Sequence, residues 1–290
     1  MRKRKKFLSL LLSTAMLVGI IPIGGLESVY ADEVVENQAQ SIADGLEILD
    51  ADNVLGNITL PDTDVEGAVV TWESSDDAVV SDTEKVNDDY DNMPAGVVTR
   101  GAADQKVTMT ATVEYEGEVG TKDIELTVKA AKAQEDYAGY LFTFFPNNSD
   151  ERVYFATSKD GMNFKDLNDE SPVLESTVGT EGLRDPYLIR SNEGDRFWLI
   201  GTDLSIGTSD KSVGWGDAQY RGSLSLVVWE STDLVNWSEP RLVDTGIRNV
   251  GCVWAPEAIY DEKTGEYVVF WASMTTFEDN SHQVMYYAKT

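Results

Sequence analysis

Apolar and polar positions along this chain change places on a short period almost throughout. One continuous apolar run, Phe7 to Ile23, stands apart at the start. The Gln38–Leu49 stretch carries the spacing of a short helix. Beyond it, Val69-Val70-Thr71-Trp72-Glu73, Val107 to Val113 and Ile124 to Val128 each show an apolar face at period two, the mark of half-buried strands. Turn-forming residues separate them: Ser74-Ser75-Asp76-Asp77, Pro94-Ala95-Gly96 and Glu116-Gly117. Strand-like runs resume at Val153, Phe197, Ser225, Tyr267 and Val284, now with more aromatic residues.

The later runs repeat. Ser158, Asp160 and Phe164 fall on Ser231, Asp233 and Trp237 at an offset of 73 residues, each triplet following a strand. A strand-turn-strand phrase repeated with its aromatic predicts sheets arranged radially, as in a β-propeller, rather than two stacked sheets. The pattern supplies two units and part of a third, ending at Ala288-Lys289-Thr290 where another Ser-x-Asp turn is due. A propeller ring generally needs about four blades or more. The expectation is therefore a piece of a longer reading frame, with an assembly of chains as the alternative.

Composition divides the chain. Its 290 residues hold 51 acids and 23 bases, a net charge of −28, which repels phosphate backbones and anionic lipid and so argues against nucleic-acid partners. Met1-Arg2-Lys3-Arg4-Lys5-Lys6, the apolar run and the exit Val29-Tyr30-Ala31 read as a signal peptide over 1–31. A retained anchor is the alternative. The product is expected to be bacterial and secreted or held at the cell surface, with no membrane contact after cleavage. A single cysteine and a single histidine leave no disulfide and no metal cage of imidazoles or thiolates, so neither a metal nor another cofactor is expected. Residues 32–137 carry 26 acids against 6 bases, and six of the seven tryptophans follow residue 190. The polar Ala131–Asp136 run marks a linker, placed at 134–139, between a domain over 32–133 and another over 140–290.

The order Ile58-Thr59-Leu60-Pro61, Val70 to Asp76, Gly96 to Arg100 and the Val107 strand resembles the atrophied bacterial immunoglobulin-like module across about Asp44–Lys129. That resemblance implies a small β-sandwich acting as a spacer or display module. Trp72 is read as its core plug, with a sugar platform as the alternative. The whole is then all-β: a small immunoglobulin-like β-sandwich followed by part of a five-bladed β-propeller.

Two phrases exceed strand punctuation: Arg184-Asp185-Pro186-Tyr187 and Trp254-Ala255-Pro256-Glu257. Each puts a carboxylate at the mouth of a strand, and in a propeller such acids face a common pocket. Carboxylates crowded there can separate into proton donor and proton acceptor, the division that glycosidic cleavage needs. With Phe197 to Thr202, Ser231 to Trp237 and Tyr267 to Ser273, these phrases resemble the front of glycoside hydrolase family 43 over about Tyr140–Thr290.

The resemblance implies an inverting glycosidase acting on arabinose- or xylose-containing plant cell-wall polysaccharides or oligosaccharides. It assigns Asp185 as the general base. Glu257 stands where the family usually has Asp, as the carboxylate that orients the acid and raises its pKa. No position before Thr290 matches the family's general acid, which is expected on a later blade. Arg184 and Trp215 are candidates for substrate binding, Trp215 as an exposed stacking platform in Gly214-Trp215-Gly216-Asp217. Asp203 is read either as a sugar-hydroxyl contact or as a turn cap.

Two other readings stay open. One is a non-catalytic carbohydrate-binding or display protein, favoured by the missing acid. The other is a retaining fructan- or sucrose-cleaving propeller, which shares the Arg-Asp-Pro phrase but carries an upstream Asn-Asp-Pro that this chain lacks.

Overall fold

The computed structural model describes residues 37–133, 137–275 and 282–290. The predicted signal peptide at 1–31 and the first half of the predicted linker lie outside them. Among the described residues the architecture is mostly β, as the pattern predicts, with two short α-helices and one 3-10 turn at Asn168–Glu170; the pattern predicts only the first helix, which ends at Asp44 and not at Leu49.

In the N-terminal module, helix α1 (Gln38–Asp44) starts at Asn37, whose side chain accepts from Gln40 N. Strands β1 (Val69–Ser74), β2 (Gln105–Tyr115) and β3 (Glu118–Val128) form one antiparallel meander. Alternation along β2 buries Val107, Met109, Ala111 and Val113 on a single face. Val107 and Met109 meet Ile48, Val54, Val79 and Val80, while Ala111 and Val113 meet Ala39, Ala43 and Leu46 around the helix. A helix and irregular chain thus supply the layer opposite the sheet.

The segments around Ile58 and Val98 form no extended ladder: Ile58 N donates to Gly96 O, and residues 96–99 pair with residues 79–81 through Gly96 N to Ser81 O, Ser81 N to Val97 O and Thr99 N to Val79 O around the Val80–Val98 bridge. Pro61 and Pro94, which cannot donate to a ladder, stand beside them. Gly120 permits the helix to approach: a Cβ there would lie 2.4 Å from the backbone of Ala39 and Gln40. Trp72 is half-buried against both clusters and donates Nε1–H to Pro61 O at 3.1 Å, which makes it framework.

The second part contains three consecutive antiparallel sheets. The first holds β4 (Tyr140–Phe144), β5 (Tyr154–Ser158) and β6 (Lys165–Asp166). The second holds β7 (Leu183–Arg190), β8 (Phe197–Asp203), β9 (Ser225–Ser231) and β10 (Arg241–Asp244). The third holds β11 (Trp254–Asp261), β12 (Glu266–Met274) and β13 (Gln283–Lys289), and helix α2 (Trp215–Arg221) interrupts the β8–β9 connection. Strand β7 lies beside β4 on one side and β11 on the other, so the first strands of successive sheets are neighbours. This is blade-by-blade packing, part of a propeller.

The middle blade is covered on both faces. Leu199, Val227 and Trp229 pack toward Val153 and Phe155 of the first blade, whereas Ile200, Leu226 and Val228 pack toward Ala258 and Trp271 of the third. Burial on two faces explains why β8 and β9 read as nearly continuous apolar runs.

The repeated Ser-x-Asp phrases build the same turn twice. Ser158 Oγ accepts from Gly161 N at 2.9 Å, and Asp160 Oδ1 accepts from Met162 N and Asn163 N at 2.9 and 2.8 Å. Ser231 and Asp233 repeat those bonds with Leu234, Val235 and Asn236 at 2.9, 2.9 and 2.7 Å. Bonds from the backbone and then the side chain of Asn163, with Met162 N and Ser158 adding to them, hold the Asp160 carboxyl well below its ordinary 3.8. Asn236, Val235 and Ser231 do the same for Asp233.

A carboxyl depressed in the folded state adds stability above its unfolded pKa and loses that contribution as pH falls through the folded value. Both turns therefore hold at mildly acidic pH and loosen only in strong acid. Carboxyl ¹³C shifts followed against pH should give midpoints below 3.8 for both residues. A midpoint at or above that value contradicts the turn geometry.

The N-terminal module grips the hairpins at the far ends of β7 and β11. Arg100 forks onto Asp195 at 3.0 and 2.8 Å in the β7–β8 hairpin, and both side chains are buried, at 5% and 3% exposure. Arg100 also donates to the carbonyls of Leu55, Lys129 and Ala130. Asn57 Nδ2 donates to Gly265 O at 2.8 Å and Tyr90 OH to Asp261 Oδ2 at 2.8 Å, both at the β11–β12 hairpin. The opposite ends of β7 and β11, where the two Pro-containing phrases lie, are left clear of these contacts.

Candidate active site

Both phrases bulge their strands. Pairing of β7 with β8 shifts between Arg184 (opposite Thr202) and Tyr187 (opposite Ile200). Pairing of β11 with β12 shifts between Trp254 (opposite Ala272) and Glu257 (opposite Phe270). Pro186 and Pro256 have no N–H to give the ladder, and the residues before them take left-handed backbone: Asp185 and Ala255 both have φ of 49°. For a residue with a Cβ this conformation costs on the order of 1 kcal/mol or more, and such strain collects at functional sites. The two phrases are one device on adjacent strands, with Asp185 equivalent to Ala255 and Tyr187 equivalent to Glu257.

The bulges are joined through Thr202, which is buried on β8. Ala255 N donates to Thr202 Oγ1 at 2.9 Å, and Thr202 Oγ1 lies 3.0 Å from Asp185 Oδ2. Since the hydroxyl accepts from Ala255, its own proton goes to Asp185. The exposed Asp185 carboxylate is thereby aimed by a hydroxyl of its own blade, which the Ala255 N–H of the neighbouring blade orients in turn.

Arg184 flanks it. Its side chain is only 12% exposed and Nη1 donates to Asn148 Oδ1 and Glu151 Oε1, each at 2.8 Å. The guanidinium lies 4.6 Å from the Phe145 ring centroid and 5.0 Å from that of Trp215. Trp215 opens α2, is 49% exposed, and meets Trp254 edge-on at 6.3 Å. A bared indole beside a carboxylate is a surface on which a sugar ring can stack. Glu257 is exposed on β11. Burial, and after it the Glu257 charge, pushes the Tyr187 phenol above its ordinary 10.0, and β11 lies beside β7.

The structure thus brings Arg184, Asp185, Trp215 and Glu257 to the adjoining ends of β7 and β11. Asp203 is not brought to this group as a free contact. It is buried, and Oδ1 accepts from Thr180 N at 2.7 Å and Thr180 Oγ1 at 2.9 Å, so it caps a turn. Arg184 is committed to Glu151 and Asn148 and serves the site by holding Trp215. Thr202, Trp254, Phe145, Asn148 and Glu151 join the site without having been singled out in the sequence. Only Trp254 and Thr202 lie within phrases that stand out there; Glu151 has no local signal, because its partners are 33 to 57 residues away. Among the described residues no three His, Cys, Asp or Glu side chains gather as a metal site.

Residues 135–290 match a glycoside hydrolase family 43-related model described as "Probable glycosyl hydrolase domain", and residues 35–131 match one described as "Atrophied bacterial Ig domain". An alpha-L-arabinofuranosidase of Bifidobacterium longum subsp. longum is 33% identical over 298 residues, covering 92% of this chain and 27% of the relative. The chain therefore spans about a quarter of that protein's length. Among solved structures, an exo-1,5-alpha-L-arabinanase from a bovine ruminal metagenomic library aligns with a TM-score of 0.36 at 9% identity, covering 66% of this chain and 71% of that one. A Bombyx mori GH32 beta-fructofuranosidase aligns with a TM-score of 0.35 at 12% identity, covering 65% and 45%.

Proposed function

We propose that this chain, which belongs to the glycoside hydrolase family 43-related family of probable glycosyl hydrolase domains, carries the base side of an inverting site for arabinose- or xylose-containing glycans. The observation that carries this reading is the exposed Asp185 carboxylate, aimed by Thr202 at the adjoining ends of two blades. Asp185 takes a proton from water as the water oxygen bonds to the anomeric carbon from the face opposite the leaving group. The glycosidic C–O bond breaks, and the leaving oxygen takes a proton from a general acid on another blade. Glu257 orients that acid. Inversion requires the base and acid carboxyls to stand about 6.5 to 9.5 Å apart, leaving room for the water.

Trp215 and Trp254 offer ring faces and edges for the sugar. Arabinofuranosides are the first substrates to try, because the Bifidobacterium relative is named an alpha-L-arabinofuranosidase. Plant cell-wall polysaccharide is the proposed natural source, and the basic-then-apolar N-terminal sequence supports export as the route to it.

The test is product stereochemistry. The full-length protein acting on an aryl alpha-L-arabinofuranoside should release the beta-anomer first, followed by ¹H NMR before mutarotation. A first product of retained configuration would sink the inverting assignment.

A further inference from the structure

Glu151 lies between β4 and β5, and its carboxylate is completely buried. A buried carboxylate persists only when paired and well supplied with hydrogen bonds. Here Oε1 accepts from Arg184 Nη1 at 2.8 Å and from Ile206 N at 2.9 Å. Oε2 accepts from Ser205 Oγ at 2.9 Å, Thr208 Oγ1 at 2.8 Å, Ile206 N at 2.9 Å and Gly207 N at 3.4 Å. Burial alone would raise this carboxyl, yet the bonds from Ile206, Thr208, Arg184 and Ser205 outweigh it and hold the group below its ordinary range, so it stays charged.

Those donors come from two different walls of the site. Arg184 precedes Asp185 on β7 and stacks on Trp215. Residues 205–208 begin the loop that delivers Trp215: Ser205 Oγ meets Ser212 Oγ at 2.7 Å, and Val213 N donates to Ser205 O at 3.0 Å, one residue before the Gly214 cap of α2. One carboxylate fixes the strand entry and the root of the loop together.

We propose that Glu151 is a positioning residue that sets the spacing between Arg184 and the 205–213 loop, and through both the orientation of the Trp215 indole as a sugar platform beside Asp185. Only the identity of the sugar rests on the hydrolase reading. The platform itself is a matter of geometry.

Glu151→Gln keeps the shape and an acceptor for Arg184 and Ile206 N, turns an amide toward the Ser205 and Thr208 hydroxyls, and removes the charge. In the full-length protein it should leave thermal unfolding cooperative and raise KM for an aryl arabinofuranoside about tenfold, with kcat within about threefold of the parent. Acrylamide quenching assigned to Trp215, by difference against the same protein carrying Trp215→Phe, should increase. Thr208→Val, which removes a single donor, should move both readouts the same way but less, and it keeps the test alive if Glu151→Gln fails to fold. Unchanged KM and unchanged Trp215 quenching in the variants would reduce Glu151 to a strut of the fold. A loss in kcat alone would also overturn the assignment. If no glycosidase activity is found at all, the hydrolase reading fails while the quenching comparison still decides the role of Glu151.

Discussion

On the proposed function, Asp185→Asn should lower hydrolysis of an aryl arabinofuranoside by the full-length protein about 100- to 10,000-fold, the range typical for losing a general base, while unfolding stays close to that of the parent. The amide can still accept the Thr202 hydroxyl through its carbonyl, and the side chain is exposed, so neither a cavity nor an unpaired buried group results. What disappears is the capacity to take a proton from water. Steady-state kinetics together with a urea melt separates the two effects. Retained turnover in the variant removes Asp185 from the chemistry. Thr202→Val should give a smaller fall, mostly in kcat, since the carboxylate remains but loses the hydroxyl that aims it. A Thr202 variant with parental kcat would mean the bond to Ala255 serves only the fold.

Arg100→Ala destabilises the chain by about 3 to 5 kcal/mol, the usual cost of leaving one member of a buried ion pair without its partner. The Asp195 carboxylate would be stranded at the joint, and the carbonyls of Leu55, Lys129 and Ala130 would lose their donor. Asp195→Ala should cost a similar amount, and the double variant should cost less than the sum of the two, because removing both charges leaves neither one unpaired. Urea unfolding of the parent, the two single variants and the double variant closes the cycle. Additive losses would show that the pair does not hold the modules together. Since these residues lie at the far end of the blades from Asp185, catalytic constants measured well below the melting transition should not change.

How much of this was legible beforehand depended on how local each signal is. Strands β1, β2 and β3 are readable from their alternation, and the doubled Ser-x-Asp turn is readable because all of its hydrogen bonds close within five residues. That repeat is also what predicts radial sheets in place of a sandwich for the second part. The layer facing β2 was less legible: the stretches around Ile58 and Val98 carry apolar residues, but the first is held by one backbone bond to Gly96, the second pairs only briefly with residues 79–81, and a helix takes up the remaining space. The Arg-Asp-Pro and Trp-Ala-Pro phrases announce strand mouths, yet their equivalence, with Ala255 in the place of Asp185, emerges only from the matched bulges. For Asp203 the sequence left a sugar contact and a turn cap both open, and the structure has the cap. Its engagement by Thr180, distant in sequence, could not be read there. Glu151 was invisible for the same reason, since nothing near it in the chain hints at partners on strand β7 and the 205–208 loop.

The joint at the rear hairpins also governs what the molecule can do mechanically. The forked ion pair crosses it, and Arg100 is itself held by three carbonyls of its own module, so a swing of the leading module has first to strip a buried guanidinium from Asp195.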